Sequence, residues 1–413
     1  MKESVVDKKL MIQFMLLSVI SGMSAGMSQI VLTLYAVARG ASTSQIGLIV
    51  GMHGFGLLFT VLPVGFLVDH IGPRKVFIFG ASSTALIYLL FPFAATIPLL
   101  CVFAGLVGFF TAFRFVPLSS VVIEFVRNSG SDKAGLLRGS NSLGVYLFGP
   151  MFGAYLSRYL GSVNTFHVLV FIALLLIAGA VVTLPDRRRS EVLPISSWWS
   201  GVKKLFGNSS IVEASLAESL GGATLSCFNA FAVVIAIRVL HIPSQFASVL
   251  VSIQGLTFIT TLFTLSRLLD GVGHRTSSIT SIGIILTALL LLSCNQHPAF
   301  LFAGSICLGL GLGIFNLVNI TRIAKANVAK GGSAGIFALF SVSGSIIGPV
   351  LGGFAGEHFG TGNAFLIFVP LFFALAIMIY FRTAVHNSAE LNVLSHQPVI
   401  AESIVEASSS LAD

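Results

Sequence analysis

Gly135-x8-Gly144-x4-Gly149-Pro150-x2-Gly153 is answered two hundred residues later by Gly335-x8-Gly344-x3-Gly348-Pro349-x2-Gly352-Gly353. The separation is 200 residues at Gly135 and Gly144, and 199 at Gly149 and Pro150. Single glycines recur by chance, but an ordered set of glycines with a proline does not. Each copy lies in an apolar run of about 20 residues, the length a helix needs to cross a hydrocarbon core of about 30 Å. The chain is therefore two copies of one half, each built of helices in lipid.

Outward from these stretches, polar and Pro/Gly punctuation predicts twelve spans near residues 11–37, 45–68, 76–94, 99–126, 136–159, 165–184, 211–236, 245–268, 276–294, 299–322, 333–357 and 363–381. Of the 413 residues 55% are hydrophobic and 9% charged, against about a quarter charged in soluble domains, so a globule in water would lack a polar coat. The fold class is all-α integral membrane, with six-helix bundles over residues 1–184 and 211–382. Residues 185–210 carry Arg187, Arg188 and Arg189, then Trp198 and Trp199 beside Lys203 and Lys204, a mixture that predicts a linker helix lying in the membrane interface. Residues 383–413 are Ser-rich and acidic and predict a disordered tail.

The net charge of +8 marks topology, not a nucleic-acid partner, because the basic residues are scattered over short loops. With the N-terminus inside, 19 of the 23 Lys and Arg are cytoplasmic and only Arg39, Arg158 and Arg238 lie outside. The positive-inside bias then places both termini in the cytoplasm, in a multi-pass protein of the cell inner membrane. Lys2, Lys8 and Lys9 precede the first apolar segment without a small-residue cleavage site after a short apolar core, so that segment reads as a retained span. Cys101, Cys227, Cys294 and Cys307 have no disulfide or zinc spacing and read as packing residues. No metal or other cofactor is expected.

A second repeat lies at the inner ends of the second and eighth spans. Gly65-Phe-Leu-Val-Asp69-His-Ile-Gly72-Pro-Arg74-Lys75 is echoed by Ser266-Arg267-Leu-Leu-Asp270-Gly-Val-Gly273-His-Arg275. Asp69 at the end of a helix opposes the helix dipole and wants a basic partner or a helix N-terminus; Arg74 and Lys75 are at hand. On these paired motifs the chain, from about residue 10 to 381, resembles the major facilitator superfamily. The resemblance implies two six-helix bundles related by a pseudo-two-fold axis along the membrane normal, in a transporter and not an enzyme. It also implies that Gly65, Asp69, Gly72, Arg74 and Lys75, with Asp270 and Arg275, form a cytoplasmic latch. A plain tight turn with topology-setting charges is the other reading. The Gly-Pro positions Gly149, Pro150, Gly153, Gly344, Gly348, Pro349 and Gly352 resemble the fifth-helix motif of proton-exchanging exporters. The fifth-span copy departs from it, with one residue more before Gly149 and Ala154 in place of the last glycine. Tight helix packing with a bend explains the same residues without the resemblance.

Polar side chains in mid-membrane are costly and mark a cavity or proton path. They concentrate on spans one, four, seven and ten, which in the family line the central cavity. Arg114 cannot reach either surface and needs an anion, from a substrate or from an acid such as Glu218. A permanent structural Arg114–Glu218 pair is the plainer alternative. The candidate substrate-binding residues are Arg114, Gln29, Asn229, Asn316, Asn319 and Gln254; the candidate proton-coupling residues are Glu218, Glu213, Glu124 and His53. Phe109, Phe110, Phe113 and Phe115 flank Arg114 and suggest apolar walls, although most phenylalanines must pack or face lipid.

The expected function is secondary active transport, by alternating access, of an amphipathic or anionic small molecule exported in exchange for protons. Uptake of an organic anion or siderophore-like metabolite by proton symport is the alternative. No phosphate-binding G-x-x-x-x-G-K-[ST] is present to use ATP, no catalytic cluster suggests an intramembrane enzyme, and the outer loops are too short for a receptor. The expected partners are a small-molecule substrate, protons and the lipid bilayer, with the chain acting as a monomer.

Overall fold

The computed structural model describes residues 2–129, 134–186, 209–265, 274–294, 297–325 and 330–380. Lipid cannot bond an open backbone, so apolar runs of this length satisfy their peptide groups internally. They form α1 (Lys2–Ala38), α2 (Thr43–Ile71), α3 (Pro73–Leu90), α4 (Ile97–Ser129), α5 (Ala134–Leu143) and α6 (Gly149–Thr183) in the first half. The second half has α7 (Ser209–Arg238), α8 (Ser244–Thr264), α9 (His274–Ser293), α10 (Pro298–Lys325), α11 (Lys330–Phe359) and α12 (368–380). The interfacial linker helix and the tail expected from sequence fall almost entirely outside the described residues, as do Asp270 and the side chains of Glu124 and Arg275.

Each expected span meets one helical segment, with two differences. The fifth span is composite: α5, a π-helical turn Gly144–Phe148, and the first arm of α6. At Gly161, with φ 80°, α6 bends back on itself, so spans five and six form one apolar stretch, Gly139–Thr183. The twelfth span begins later than expected, at 368, because Thr361–Asn363 forms a 3₁₀ turn and 364–367 a turn.

The repeat extends to the backbone. Gly161 and Gly360 both take positive φ, 80° and 92°, where spans five and eleven reverse. Gly40 at φ 76° is matched after α7 by His241 at φ 52°, a strained setting for a side chain. Gly72, at φ 89°, ends α2 and hands the chain to Pro73 at the first position of α3, where its missing N–H costs nothing.

With twelve crossings, α1 begins and α12 ends on one face, here called proximal; the Ala38–Thr43 connection marks the opposite, distal face. Spans three, six, nine and twelve present Phe79, Leu86, Phe171, Val182, Leu290 and Phe373 outward, an apolar belt far larger than a soluble monomer exposes. Inside the first bundle Tyr88 and Phe91 stack on Phe166, Phe91 nearly parallel to it at 4.6 Å, and Tyr35 meets Phe166 edge-on.

The bundles meet along two seams. On one, glycines of α2 face α11 backbone: Gly47 lies on Pro349 and Gly353, and Gly51 and Gly54 on Ile346. On the other, the π-turn packs on α8, where the Ser252 hydroxyl donates to the Leu147 carbonyl at 3.1 Å. The distal face is tied shut between the halves. Arg238 Nη2 donates to the Ala41 carbonyl at 2.6 Å, the Ser44 N–H donates to Glu357 Oε2 at 3.1 Å, and the Thr43 and Thr361 hydroxyls bond at 3.0 Å.

Candidate functional site

The Gly-Pro helix places the most polar part of the interior. A methyl group at Gly344 would overlap the Ser219 carbonyl, one at Gly348 the Ala223 carbonyl, and one at Gly222 would lie 2.7 Å from the Ser341 carbonyl oxygen. α7 and α11 thus touch backbone to backbone, which fixes Glu218, the residue before Ser219. Asn316, Asn319 and Arg322 recur every third residue on α10 and share a face. Asn316 Nδ2 donates to Glu218 Oε1 at 2.7 Å and Asn319 Nδ2 to Oε2 at 3.5 Å, with Ser341 of α11 as a third polar neighbour. Toward the proximal face, Arg322 Nη2 lies 3.1 Å from Glu213 Oε1. Two acids on one helix therefore differ in kind. Glu213 faces a fixed cation, whereas Glu218, 8% exposed, faces neutral amides. An amide can donate to a carboxylate through its nitrogen or accept from a carboxylic acid through its oxygen, so this cradle suits either protonation state.

Arg114 is 2% exposed and belongs to the other bundle. The expected Arg114–Glu218 pair is not formed. Nη2 instead donates to the Ser21 carbonyl at 2.9 Å and to Ser21 Oγ at 3.3 Å. Nε and Nη1 have no hydrogen-bond partner, and the Tyr88 hydroxyl is their polar neighbour. The reason is topological: α4 packs against α2 and α3, so its buried face points into its own bundle. The phenylalanines around Arg114 follow. Phe109, Phe110 and Phe113 cluster with Phe79 of α3, and Phe115 is half exposed; they are packing and lipid-facing residues, not cavity walls.

His53 is likewise not at the centre. It bonds the Ala104 carbonyl and, with Ser28, Gln29 and Tyr88, lines a void inside the first bundle with room for about one water. Gln254 does not line an open cavity. It is wholly buried, both side-chain polar atoms lack partners, and its carbonyl abuts Gly309 of α10 as that of His53 abuts Gly108 of α4. Asn229 is half-buried with an unpartnered Oδ1.

In the latch, Gly72 makes the turn, Lys75 is exposed, and Arg74 Nε donates to the Leu184 carbonyl at 2.7 Å, so Arg74 caps the end of α6 within its own bundle. Sequence reasoning missed Ser21 and Tyr88 as neighbours of Arg114, and Ser341 as a neighbour of Glu218. It also missed Gly22 and Gly26, whose added methyls would overlap the Asn141 and Val145 carbonyls of the fifth span. A usable signal existed, since Gly22 and Gly222 are themselves 200 residues apart.

The sequence profile described as Major Facilitator Superfamily matches residues 14–217 and again 214–406. An uncharacterized MFS-type transporter of Methanocaldococcus jannaschii is 22% identical over 366 residues, spanning 85% of this chain and 92% of the relative. Among solved structures, the nucleoside transporter NupG superposes with a TM-score of 0.76 at 16% identity, covering 90% of this chain and 98% of NupG. A bacterial homolog of the human lysosomal transporter Spinster, in an inward-facing and unoccupied conformation, gives 0.67 at 13% identity, over 95% of this chain and 99% of that one. At these identities the structural likeness is one of fold.

Proposed function

Because this chain is a member of the Major Facilitator Superfamily, and so a multi-pass membrane transporter, we propose that it is a proton-coupled carrier that exports an amphipathic or anionic small molecule, with Glu218 taking up and releasing the proton. The observation that carries this reading is the Glu218 cradle. A carboxyl group buried about a third of the way along α7 and held by Asn316 and Asn319 has no cation among the described residues to lock it in one ionisation state. Glu213, paired with Arg322, is an organising ion pair. The unfilled donors of Arg114 support an anionic group on the solute, engaged when the bundles rearrange. The distribution of basic residues supports a cytoplasmic proximal face in an inner membrane, which makes the distally closed structure an inward-facing state. Exchange is favoured by the Gly149-Pro150 helix. Uptake by symport is the second reading, favoured by the π-turn that interrupts the same helix.

The test uses purified protein in vesicles. Ligands found by thermal shift among drugs, nucleosides and organic acids are assayed for flux under an imposed pH gradient of either sign. Exchange requires flux opposite to the proton gradient, and loss of gradient dependence in Glu218→Gln. Flux that ignores the gradient in the wild type would remove the coupling, and flux along it would make the protein a symporter.

A further inference from the structure

The two Gly-Pro helices share a weak point and are supported there from opposite sides. In an α-helix each N–H bonds the carbonyl four residues earlier, and proline has no N–H to give. Pro349 therefore deprives the Ser345 carbonyl of its helical donor, and Pro150 does the same to Tyr146. A bare carbonyl inside a bilayer is costly, and hydroxyl side chains of neighbouring helices supply the missing bond. On α11 the Ser226 hydroxyl of α7 donates to the Ser345 carbonyl at 2.9 Å. Both partners belong to the second bundle and move with it.

The fifth span has no such support from its own bundle at the matching place. The residue of α1 that answers Ser226, two hundred positions earlier, is Gly26, and a side chain there would overlap the Val145 carbonyl. The span is weaker as well, because the π-turn Gly144–Phe148 sends the Gly149 N–H to Gly144. Prolines and π-turns are the usual causes of sharp helix bends. The hydroxyl that reaches this stretch is that of Ser252 on α8, which donates to the Leu147 carbonyl at 3.1 Å from the opposite bundle. Its counterpart in the repeat is Gly51 of α2: each lies three residues before the glycine, Gly255 or Gly54, on which Tyr146 or Ile346 rests. The fifth span thus has glycine beside it in its own bundle and serine across the seam, and α11 has the reverse.

We propose that Ser252 is a positioning residue of the transport cycle: it holds the bend of the fifth span only while the seam with α8 is closed, so that the fifth span bends between states and α11 moves as a rigid rod. The proposal goes beyond the coupling reading and needs no assumption about protons or solute. In the distally closed structure the Ser252 bond is made. Parting of the bundles at this depth breaks it and frees the π-turn to change its bend. The Ser226 bond is untouched by the same motion, because donor and acceptor travel together.

The test is hydrogen exchange, read by mass spectrometry on full-length protein in lipid nanodiscs with its four cysteines replaced, for peptides covering 144–153 and 344–353. Cysteines introduced at Thr43 and Thr361, whose hydroxyls are 3.0 Å apart, lock the distal face when oxidised. The reduced protein carrying Glu357→Ala and Arg238→Ala lacks two further distal bonds, and its opening is verified by maleimide labelling from the distal side. The fifth-span peptide is expected to exchange about 5-fold faster in the opened protein, the factor that one ordinary hydrogen bond confers, and equally fast in locked Ser252→Ala. The α11 peptide should exchange alike in both states and quicken only in Ser226→Ala. Fifth-span exchange that is the same in the locked and the verified open protein overturns the proposal. So does a locked Ser252→Ala protein as protected as its parent, or an α11 peptide that follows the state. Where Ser252→Ala does not fold, the two states of the parent protein still decide.

Discussion

Gly344→Ala tests whether the α7–α11 contact positions the site. The new methyl would overlap the Ser219 carbonyl oxygen and sit 2.8 Å from the Ser219 carbonyl carbon and 3.0 Å from the Ala223 nitrogen, where ordinary contacts run 3.4–4 Å. Both obstacles are backbone and cannot swing aside, so the helices must part by about 1 Å, at the cost of about 1–3 kcal/mol typical of overpacking. Glu218 adjoins Ser219, so the same displacement stretches the 2.7 Å bond from Asn316 beyond useful hydrogen-bond range. At about 2 °C per kcal/mol for a large chain, the thermal midpoint in detergent should fall by about 2–6 °C, and flux in vesicles should fall with it. Gly283→Ala is the control. An added Cβ there meets nothing within 4 Å, and alanine in an open helical position gains about 0.5–1 kcal/mol. A Gly344→Ala protein as stable and active as the wild type would refute the reasoning, because it would mean the two backbones are not in contact.

Asn316→Ala should leave the protein folded yet remove gradient-driven flux, while Asn316→Gln restores part of it; equal flux in Asn316→Ala and wild type would dissociate the amide from coupling. Arg322→Ala removes the cation paired with Glu213 and should lower the thermal midpoint; losses in Arg322→Ala and Glu213→Gln that add strictly in the double variant would contradict the pairing. Arg114→Lys keeps the charge but not the two-nitrogen fork, and should weaken binding of any anionic ligand by about tenfold or more; a lysine variant with wild-type affinity would take Arg114 out of recognition. Glu357→Ala together with Arg238→Ala removes two of the bonds that close the distal face, and should speed labelling of a cysteine at Thr43 from that side; unchanged labelling would place the barrier elsewhere.

The span pattern was legible because lipid leaves one backbone solution, and the repeat was legible because its glycines answer to backbone, which conserves spacing. What sequence could not show was direction around each helix. Arg114 is as deep as expected, but whether it faced Glu218 or Ser21 depended on which neighbours α4 packs against. His53 and Gln254 had the polarity of cavity residues, yet they occupy matching interior positions beside Gly108 and Gly309. Glu218 was expected in a role apart from Asn316 and Asn319; the three meet because they lie on helices that face each other across the second bundle. The extra residue before Gly149 was visible as a blemish in a motif; the structure absorbs it in the π-turn Gly144–Phe148.

The turn at Gly161 has a consequence for the membrane itself. One residue at φ 80° leaves no slack between spans five and six, so any tilt of the fifth span during the cycle must be shared by the sixth, whose Phe171, Leu174, Leu175, Val181 and Val182 meet the acyl chains. The apolar height that the protein shows to its surroundings then differs between states. Bilayers of different thickness stabilise different tilts at a cost of fractions of a kcal/mol per Å. The acyl-chain length of the host membrane therefore acts on the same equilibrium as the solute, and turnover measured in short-chain and long-chain vesicles should differ accordingly.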